Sequence, residues 1–284
     1  MAKMRAMVVG ERGGRFVAEQ RDIPVPGPEE MRIRVQACGV CHSDVVTVQG
    51  PFPIVQYPHV PGHEVIGVVD ALGEGVHGWK VGSRAGVGWF GGSCGYCRQC
   101  RRDNAFVCEN VHEISGVTRD GGYATHMITH VSAVAPVLDD LDAVESAPLL
   151  CAGVATFNAL RHTGAGPGDV VAVHGVGGLG HLGIQFAARQ GFRTVAVNRR
   201  SGDKEELAKK LGASDYIDSD AQDPAKALTA MGGAKAILAT VTDGKAMQVI
   251  SGGLGPNGVM KAQEAYDRML SGKARFRVVL KIDG

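Results

Sequence analysis

The sequence predicts an α/β protein built from two domains of different character. A chain of 284 residues has material for about two domains, at roughly 100–200 residues each. Up to about residue 150, short β-like runs are separated by glycine and proline, and helical periodicity is nearly absent. From residue 169 onward, strands and helices alternate, which favours a doubly wound parallel sheet with helices on both faces.

The composition excludes several classes of function. Hydrophobic residues make up 44% of the chain and charged residues 21%, as is typical of a globular protein with a buried core. The net charge of +1 argues against a nucleic-acid partner, and we interpret Arg98, Arg101 and Arg102 as a solvated loop face. The N-terminus has no apolar signal stretch, and no apolar run approaches the roughly 18 residues of a membrane span. We therefore expect a cytoplasmic protein with no membrane partner.

The β-rich half contains three clear strand patterns, and the first helical pattern marks its end. Strands are predicted over MRIRVQACGV (31–40), EVIGVVDALG (64–73) and GYATHMITH (122–130). Helical spacing first appears in SAPLLCAGVATFNAL (146–160).

The second half alternates regularly. The predicted strands are DVVAVHG (169–175), TVAVN (194–198), SDYIDS (214–219) and KAILATV (235–241). The predicted helices are LGHLGIQFAARQG (179–191), DKEELAKKLG (203–212), DPAKALTAMGG (223–233) and GKAMQVISGGL (244–254). At Asn257 and Gly258 the rhythm breaks, because only Val259 and Met260 precede a helix predicted from about Lys261, and a strand-like tail follows Gly272.

Four cysteines are clustered with a C-x2-C-x2-C-x7-C spacing: Cys94, Cys97, Cys100 and Cys108. In a reducing compartment, clustered cysteines indicate metal rather than disulfides. The spacing does not fit a bacterial ferredoxin. Four thiolates complete a tetrahedral zinc shell and leave no open position. We predict a structural zinc here, with a redox role or simple packing as alternatives.

A second metal site has to come from scattered residues. The candidates are Cys41, His63 and Cys151, a Cys2His set that would leave the fourth zinc position open for water or substrate. Each residue also has an ordinary interpretation, since a lone cysteine is often a small buried hydrophobe and a histidine after Pro-Gly is often a turn residue. Cys38 ends an apolar strand and is expected only to pack.

A dinucleotide turn is predicted in VAVHGVGGLGHLGIQFA, where Gly175, Gly177 and Gly180 form G-x-G-x-x-G between a strand and a helix. Gly178 and Leu179 complete the turn, and the cofactor pyrophosphate would lie at the helix N-terminus. After the second strand, Asn198, Arg199 and Arg200 occupy the place where an NAD enzyme normally offers a carboxylate to the ribose. Arginine can bind a 2′-phosphate, so we favour NADP over NAD. The alternative is that both arginines are solvated.

Five segments follow one another along the chain: GVCHSD, PGHEVIG, the four-cysteine lobe, PLLCAGVATFNAL and GVGGLGHLGIQFA. Together, and in this order, they resemble the zinc-dependent medium-chain alcohol dehydrogenases, of the cinnamyl and bacterial type. The resemblance covers about residues 1–258, with a match to the family's C-terminal end beyond them. It implies that alcohols and aldehydes or ketones are interconverted by hydride transfer with NAD(P). It also implies two zinc ions per chain and a homodimer or homotetramer.

The resemblance assigns roles to single residues. Cys41, His63 and Cys151 look like the catalytic zinc ligands, and Glu64 matches a glutamate that can approach the metal. Asp44 is similar to the carboxylate that orients the zinc histidine.

Four further positions carry expectations. Ser43 matches the hydroxyl that relays the alcohol proton, and His42 the residue beside the pyrophosphate. Trp89 looks like an aromatic wall of the substrate pocket, with core packing as the alternative. Val46 stands where many members continue the proton relay with a histidine, so the relay is shortened.

The resemblance implies a GroES-like catalytic domain over residues 1–152 with a zinc lobe at 93–109. It implies a Rossmann domain over 153–260, and a helix and strand over 261–284 that return to the catalytic domain. A complete dinucleotide fold has six strands, so about fifty residues are missing by average element lengths. Either the sequence omits a segment of the protein, or the chain is a shortened form with impaired hydride transfer. A non-catalytic, zinc-stabilised dinucleotide-binding protein is the alternative function.

Overall fold

The computed structural model describes residues 2–199 and 202–255. Arg200, the interrupted fifth strand at Val259 and Met260, and the helix and strand predicted over 261–284 lie outside the described residues. The chain divides after Cys151 into two compact units, Met1–Cys151 and Ala152–Gly284.

The first unit is built from antiparallel strands. Its strands are β1 (Lys3–Val9), β2 (Phe16–Asp22), β3 (Glu30–Cys38), β4 (Val65–Leu72), β5 (Arg84–Val87), β6 (His126–His130) and β7 (Val134–Pro136). β1 and β2 form a two-stranded sheet, and the other five form a sheet in the order β6-β3-β4-β5-β7. The three strands predicted from the sequence are present. The other four were not predicted one by one; among them β2 is mostly exposed, and β5 and β7 have only four and three residues.

Helices in the first unit are short. α1 covers Val45–Gln49 and α2 covers Ala143–Ser146. Single 3-10 turns lie at His42–Asp44, Cys100–Arg102, Ala105–Val107, Val131–Ala133 and Ala147–Leu150. The core between the sheet faces contains Met31, Ile33, Val65, Val69, Ala85, Val87 and Met127, all buried.

The end of β3 and the start of β4 lie side by side and position the residues of the first candidate site. In the β3–β4 ladder, Cys38 pairs with Val65, and the Gly39 N–H donates to the Glu64 carbonyl at 2.9 Å. The residues that follow β3 and those that precede β4 therefore lie side by side. This register brings Cys41 towards His63 and Glu64 although they are more than twenty positions apart in sequence.

The second unit has the parallel architecture predicted from the sequence. After α3 (Ala152–Arg161), the elements are β8 (Val170–His174), α4 (Gly180–Arg189), β9 (Arg193–Asn198), α5 (Lys204–Lys210), β10 (Asp215–Asp218), α6 (Pro224–Ala230), β11 (Ala236–Ala239) and α7 (Gly244–Ser251). The four strands are parallel in the order β10-β9-β8-β11, which is the 3-2-1-4 part of the Rossmann order. All eight elements predicted over 169–254 are present, and the predicted α/β fold class is confirmed.

Both faces of this parallel sheet are covered by apolar packing. Val171 and Val173 belong to one core cluster with Leu160 and Ile184. Ala172, between them in β8, belongs to another with residues such as Leu228 and Ile250. Burial on both faces explains why these strands read as continuous apolar runs rather than alternating ones.

The helical pattern predicted over 146–160 is divided in the structure. A 3-10 turn with proline near its start ends at Leu150, and α3 begins at Ala152. Cys151 between them has φ −127° and ψ −73°, outside helical geometry. The break separates its thiol from the regular run of a helix.

Within the part of the chain that the structure describes, no single helix has the length and apolar character needed to cross a membrane. One pair, Ala143–Leu150 with Ala152–Arg161, passes that test together but is bent by 51°.

Candidate functional site

Cys41 is positioned by a capping box at the start of the His42–Asp44 turn. Its Sγ accepts the Ser43 N–H at 3.5 Å, and the Asp44 carboxylate accepts the Cys41 N–H at 2.9 Å. The reciprocal bonds fix the thiol at the end of the turn. The sequence C-H-S-D therefore places the candidate ligand Cys41 by local backbone bonding alone.

His63 is almost fully buried beside Asp44. Its Nδ1 lies 3.1 Å from Asp44 Oδ1, and the indole of Trp89 approaches its ring edge-on with centroids 4.8 Å apart. Its Nε2 is buried and has no hydrogen-bond partner among the described residues. A buried ring nitrogen without a partner is expensive unless a ligand completes it.

Glu64 packs against the turn before Cys41. It is buried, and a Cβ added at Gly39 would overlap its carboxylate. Glycine at position 39 is thus required for the carboxylate to lie where it does.

Cys151 reaches the same place from the end of the 3-10 turn at Ala147–Leu150. Its Sγ lies 3.9 Å from the Sγ of Cys41. Glycines in and after β5 allow this approach, since a Cβ at Gly88 would lie 2.5 Å from the Leu150 carbonyl oxygen. The donor atoms of Cys41, His63, Glu64 and Cys151 all lie within 4.8 Å of one another.

The electrostatics of this cluster suit a cation. A hydrogen bond with Cys151 lowers the pKa of Cys41 to about 3, against the effect of burial and with help from His63. Burial opposes a charge on His63, yet Asp44 and Cys41 raise its pKa to about 9. Burial, and then the negative charge of Cys41, raise the pKa of Glu64 to about 7. Two acidic groups, a thiol and a carboxyl, thus lie around one imidazole, an arrangement that concentrates negative charge where a cation would bind.

The donor set fits zinc. Two thiolates, an imidazole and a carboxylate are all zinc ligands, and a tetrahedral ion with bonds of about 2.3 Å to sulfur separates its sulfurs by about 3.8 Å. The 3.9 Å between the two thiols is close to that value. The orphaned Nε2 of His63 supplies the third donor, and Glu64 stands beside them.

The four-cysteine lobe forms a second, separate cluster. Its Sγ atoms lie 3.4 Å (Cys97 to Cys100), 3.5 Å (Cys108 to Cys94) and 4.0 Å (Cys97 to Cys108) apart. Backbone N–H groups donate to the sulfurs, including those of Cys97 to Cys94 Sγ at 3.4 Å and Val111 to Cys108 Sγ at 3.3 Å. Sulfur separations near the tetrahedral value and N–H donors that favour thiolates fit a closed zinc shell.

The predicted dinucleotide turn has the geometry its glycines require. Gly175 has φ +98°, and its added Cβ would lie 2.7 Å from Thr240 Oγ1. A Cβ at Gly180 would overlap the Gly175 carbonyl oxygen, whereas Gly177 and Gly178 face open space. Leu179 caps α4 without a side-chain bond. The turn is therefore closely packed at Gly175 and Gly180 and open at Gly177 and Gly178, which leaves space for a pyrophosphate beside the backbone.

One further glycine was not predicted. A Cβ at Gly183, one turn into α4, would lie 2.6 Å from Leu238 of β11. This glycine allows α4 to pack closely on the sheet.

The residues after β9 are placed at the carboxyl edge of the sheet. Asn198 Oδ1 accepts the Val176 N–H of the glycine turn at 3.4 Å. The Arg199 side chain is exposed and has Asp220 at 3.9 Å and Asp243 at 3.6 Å. Arg200, predicted beside it, lies outside the described residues.

Two comparisons with known proteins agree with both halves of this description. Residues 27–139 match the alcohol dehydrogenase GroES-like domain family, and residues 178–261 match the zinc-binding dehydrogenase family. The alcohol dehydrogenase patD of Penicillium expansum is 40% identical over 278 residues, covering 94% of this chain and 80% of the relative. The chain belongs to the zinc-dependent medium-chain alcohol dehydrogenase family.

Solved structures of zinc-dependent alcohol dehydrogenases share the fold. A thermostable alcohol dehydrogenase from Pyrobaculum aerophilum, with cobalt and zinc bound, has a TM-score of 0.79 at 29% identity and covers 89% of this chain and 75% of that one. Family membership supports zinc and a nicotinamide cofactor, small-molecule substrates and an oxidoreductase activity.

One alignment within the alcohol dehydrogenase family is longer than this chain. The alcohol dehydrogenase notN of an Aspergillus species is 35% identical over 336 aligned residues, which cover 97% of each protein. The aligned length exceeds the 284 residues of this chain. The alignment therefore includes residues of the relative that have no counterpart in this chain.

Two residues of this alcohol dehydrogenase site were not found from the sequence. Tyr123 donates its hydroxyl to Asp44 Oδ2 at 2.8 Å, and Gly39 makes room for Glu64. The Tyr123 bond joins residues 79 positions apart. The one local sign was the G-G-Y run in a strand pattern, because glycines in a strand often mark a close backbone approach.

Proposed function

We propose that the protein is a zinc-dependent, NADP-linked dehydrogenase that interconverts alcohols with aldehydes or ketones. The observation that carries this proposal is the convergence of Cys41, His63, Glu64 and Cys151 on one buried point from segments far apart in sequence. The family of the chain supports the same chemistry.

Cys41, His63 and Cys151 would hold the catalytic zinc through Sγ, Nε2 and Sγ. Zinc in such a site acts as a Lewis acid that polarises a carbonyl or lowers the pKa of an alcohol. Glu64 is buried, and its carboxylate lies within 4.8 Å of the other donor atoms, so it would stand beside the metal as a further oxygen donor.

Around the ligands, each neighbour has a defined task. Asp44 Oδ1 lies 3.1 Å from Nδ1 of His63, where it would hold the imidazole in one orientation and tautomer. Ser43, in the turn that carries Cys41, would transfer the substrate proton through its Oγ. The proton relay would not continue to position 46, because the side chain of Val46 cannot accept a proton. Trp89, edge-on to His63, would form an apolar wall that keeps water from the reacting oxygen.

The nicotinamide cofactor would supply the hydride acceptor or donor, with its pyrophosphate over Gly177 and Gly178 at the start of α4. The family resemblance also makes His42 a proposed cofactor-binding residue. Arg199 and Arg200 would bind a 2′-phosphate. Support for NADP comes from the exposure of Arg199 and from Asn198, a neutral residue, at the end of β9.

The four-cysteine lobe would hold the second zinc ion, whose shell is closed to substrate. We further propose the domain limits given by the sequence, residues 1–152 and 153–260, and a homodimeric or homotetrameric assembly in the cytoplasm.

The test is turnover by the purified protein with a panel of aliphatic and aromatic aldehydes and NADPH. We expect NADPH oxidation that is lost on treatment with a zinc chelator and restored by zinc. Absence of zinc-dependent oxidation across the panel would contradict the activity.

A second candidate function is a zinc-stabilised dinucleotide-binding protein without turnover. The longer alignment with the Aspergillus relative favours it, because that relative has residues with no counterpart in this chain. Calorimetric binding of NADPH together with absent turnover would support this candidate over the first.

A further inference from the structure

Tyr123 completes the hydrogen bonding of the carboxylate behind the zinc histidine. Asp44 is buried, and its Oδ2 accepts both the Tyr123 hydroxyl at 2.8 Å and the Cys41 N–H at 2.9 Å. Its Oδ1 lies 3.1 Å from Nδ1 of His63. The carboxylate is therefore held at Oδ2 by two donors while Oδ1 faces the imidazole.

Backbone pairing delivers Tyr123 to this position. The N–H groups of Gly121, Gly122 and Tyr123 donate to the carbonyls of Val60, Gly62 and Pro61 at 2.7, 3.0 and 2.9 Å. Asp120 adds a fourth bond by accepting the Val60 N–H at 2.8 Å. The segment 120–123 is thus joined to the segment that leads directly into His63.

The ring of Tyr123 also packs on the residue before His63. Gly62 has φ +106°, and a Cβ there would lie 2.6 Å from Cδ1 of the tyrosine. Phe16 supports the other side, with ring centroids 5.9 Å apart. Packing fixes the ring, and the fixed ring fixes the direction in which its hydroxyl donates.

The orientation of a metal-bound histidine is set by the hydrogen bond that its other ring nitrogen makes. A carboxylate that could rotate freely would not hold the histidine ring in one orientation. We propose that Tyr123 is a positioning residue for the His63 ligand and acts through Asp44. The inference concerns metal binding at Cys41, His63 and Cys151; it rests on the proposed function only in its effect on turnover.

The test compares Tyr123→Phe with the matched variant Tyr57→Phe. Tyr57 is another half-buried tyrosine of the first unit, and its hydroxyl donates to the Thr47 carbonyl at 2.7 Å. We expect Tyr123→Phe to weaken zinc at the three-ligand site by about tenfold or more in competition with a chelator. The four-cysteine site should keep its zinc in Tyr123→Phe, and Tyr57→Phe should keep zinc at both sites.

Two additional readouts separate positioning from general stability. Cobalt substituted at the three-ligand site should show a shifted visible absorption spectrum in Tyr123→Phe only, and any turnover should fall in kcat more than it rises in KM. In an Asp44→Asn background, Tyr123→Phe should add less than about twofold, because coupled residues are not additive.

Unchanged zinc affinity and cobalt spectrum in Tyr123→Phe would overturn the proposal. So would an equal loss in Tyr57→Phe, an undiminished effect in the Asp44→Asn background, or loss of both metals, which would show a merely structural role. If the parent protein binds zinc but has no turnover, the proposed function fails, while the metal competition still decides this inference.

Discussion

Gly39 and Glu64 are fitted to each other at the candidate metal site. The Gly39 N–H donates to the Glu64 carbonyl at 2.9 Å, and the Glu64 carboxylate occupies the space that any side chain at position 39 would need. The glycine is the reason that a carboxylate can stand beside Cys41 at all.

Gly39→Ala is expected to displace Glu64 and to lower the free energy of unfolding by about 1–3 kcal/mol, the usual cost of overpacking. Zinc binding at the three-ligand site should weaken as well, since the ligand His63 directly precedes the displaced Glu64. Urea unfolding and metal analysis measure the two effects. Gly10→Ala is the control because nothing lies within 4 Å of its added Cβ; equal behaviour of both variants would contradict the expectation.

The two cysteine sets should respond differently to the same substitution. Cys41→Ser is expected to abolish turnover with the fold retained, because it removes a ligand of the open site. Cys100→Ser opens a closed zinc shell, so it should mainly lower the melting temperature. Metal content, thermal unfolding and turnover are measured on both. The reverse pattern would mean that the two sites have been assigned the wrong way round.

Within the glycine turn, sterics and ligand binding can be separated. Gly177→Ala faces open space, so its melting temperature should stay near that of the parent while NADPH affinity falls by tenfold or more, or about 1.4 kcal/mol. Gly175→Ala forces a Cβ onto a backbone with φ +98° and should cost stability by about 1–3 kcal/mol. Calorimetric titration with NADPH and thermal unfolding test the contrast. Unchanged NADPH binding by Gly177→Ala would argue against a pyrophosphate at this turn.

Arg199 tests the choice of cofactor. A charge-assisted bond is worth about 1.5–3 kcal/mol, so Arg199→Ala should reduce the preference for NADPH over NADH by about tenfold or more in kcat/KM. Arg193→Ala is the control, since Arg193 begins β9, at the opposite end from Arg199, and pairs with Asp215 at 2.9 Å. A strong NADH preference in the parent, unaffected by Arg199→Ala, would refute the assignment.

Glu30 gives the first unit a predicted dependence on pH. Burial opposes its charge, yet the Gly27 N–H, at 2.8 Å, and the Arg119 guanidinium hold the pKa of its carboxyl below the ordinary 4.5. Stability from Glu30 is therefore full above pH 4.5 and is lost as the pH falls through the lowered folded-state pKa. Glu30→Gln should lower stability by about 1 kcal/mol at pH 7 and flatten the decline at acid pH. Melting curves from pH 7 down to about pH 3 check this, with the exposed Glu74→Gln expected to follow the parent.

Local patterns carried most of what could be predicted. The strands and helices of the second unit follow from apolar runs and from glycines at their ends, because each element is defined within about ten residues. The four-cysteine cluster is also local. Cys41, His63 and Cys151 are not, and residue types alone left them as one interpretation among several until the family resemblance was considered.

The rest depends on contacts between distant segments. Tyr123 reaches Asp44 across 79 positions, and no periodicity marks a hydroxyl that will meet a carboxylate. The sequence pattern predicts a continuous helix through Cys151, because the spacing on both sides of it is helical. No sequence signal marks Gly39, because its partner, Glu64, is adjacent only through the β3–β4 register.

All donor groups of both metal clusters lie at or before Cys151, whereas every strand of the parallel sheet comes later. Chains are synthesised from the N-terminus, and domains generally fold as units in that order. The candidate ligands of both clusters are therefore synthesised before the half of the chain that forms the parallel sheet, and a change in the length of that half removes none of them.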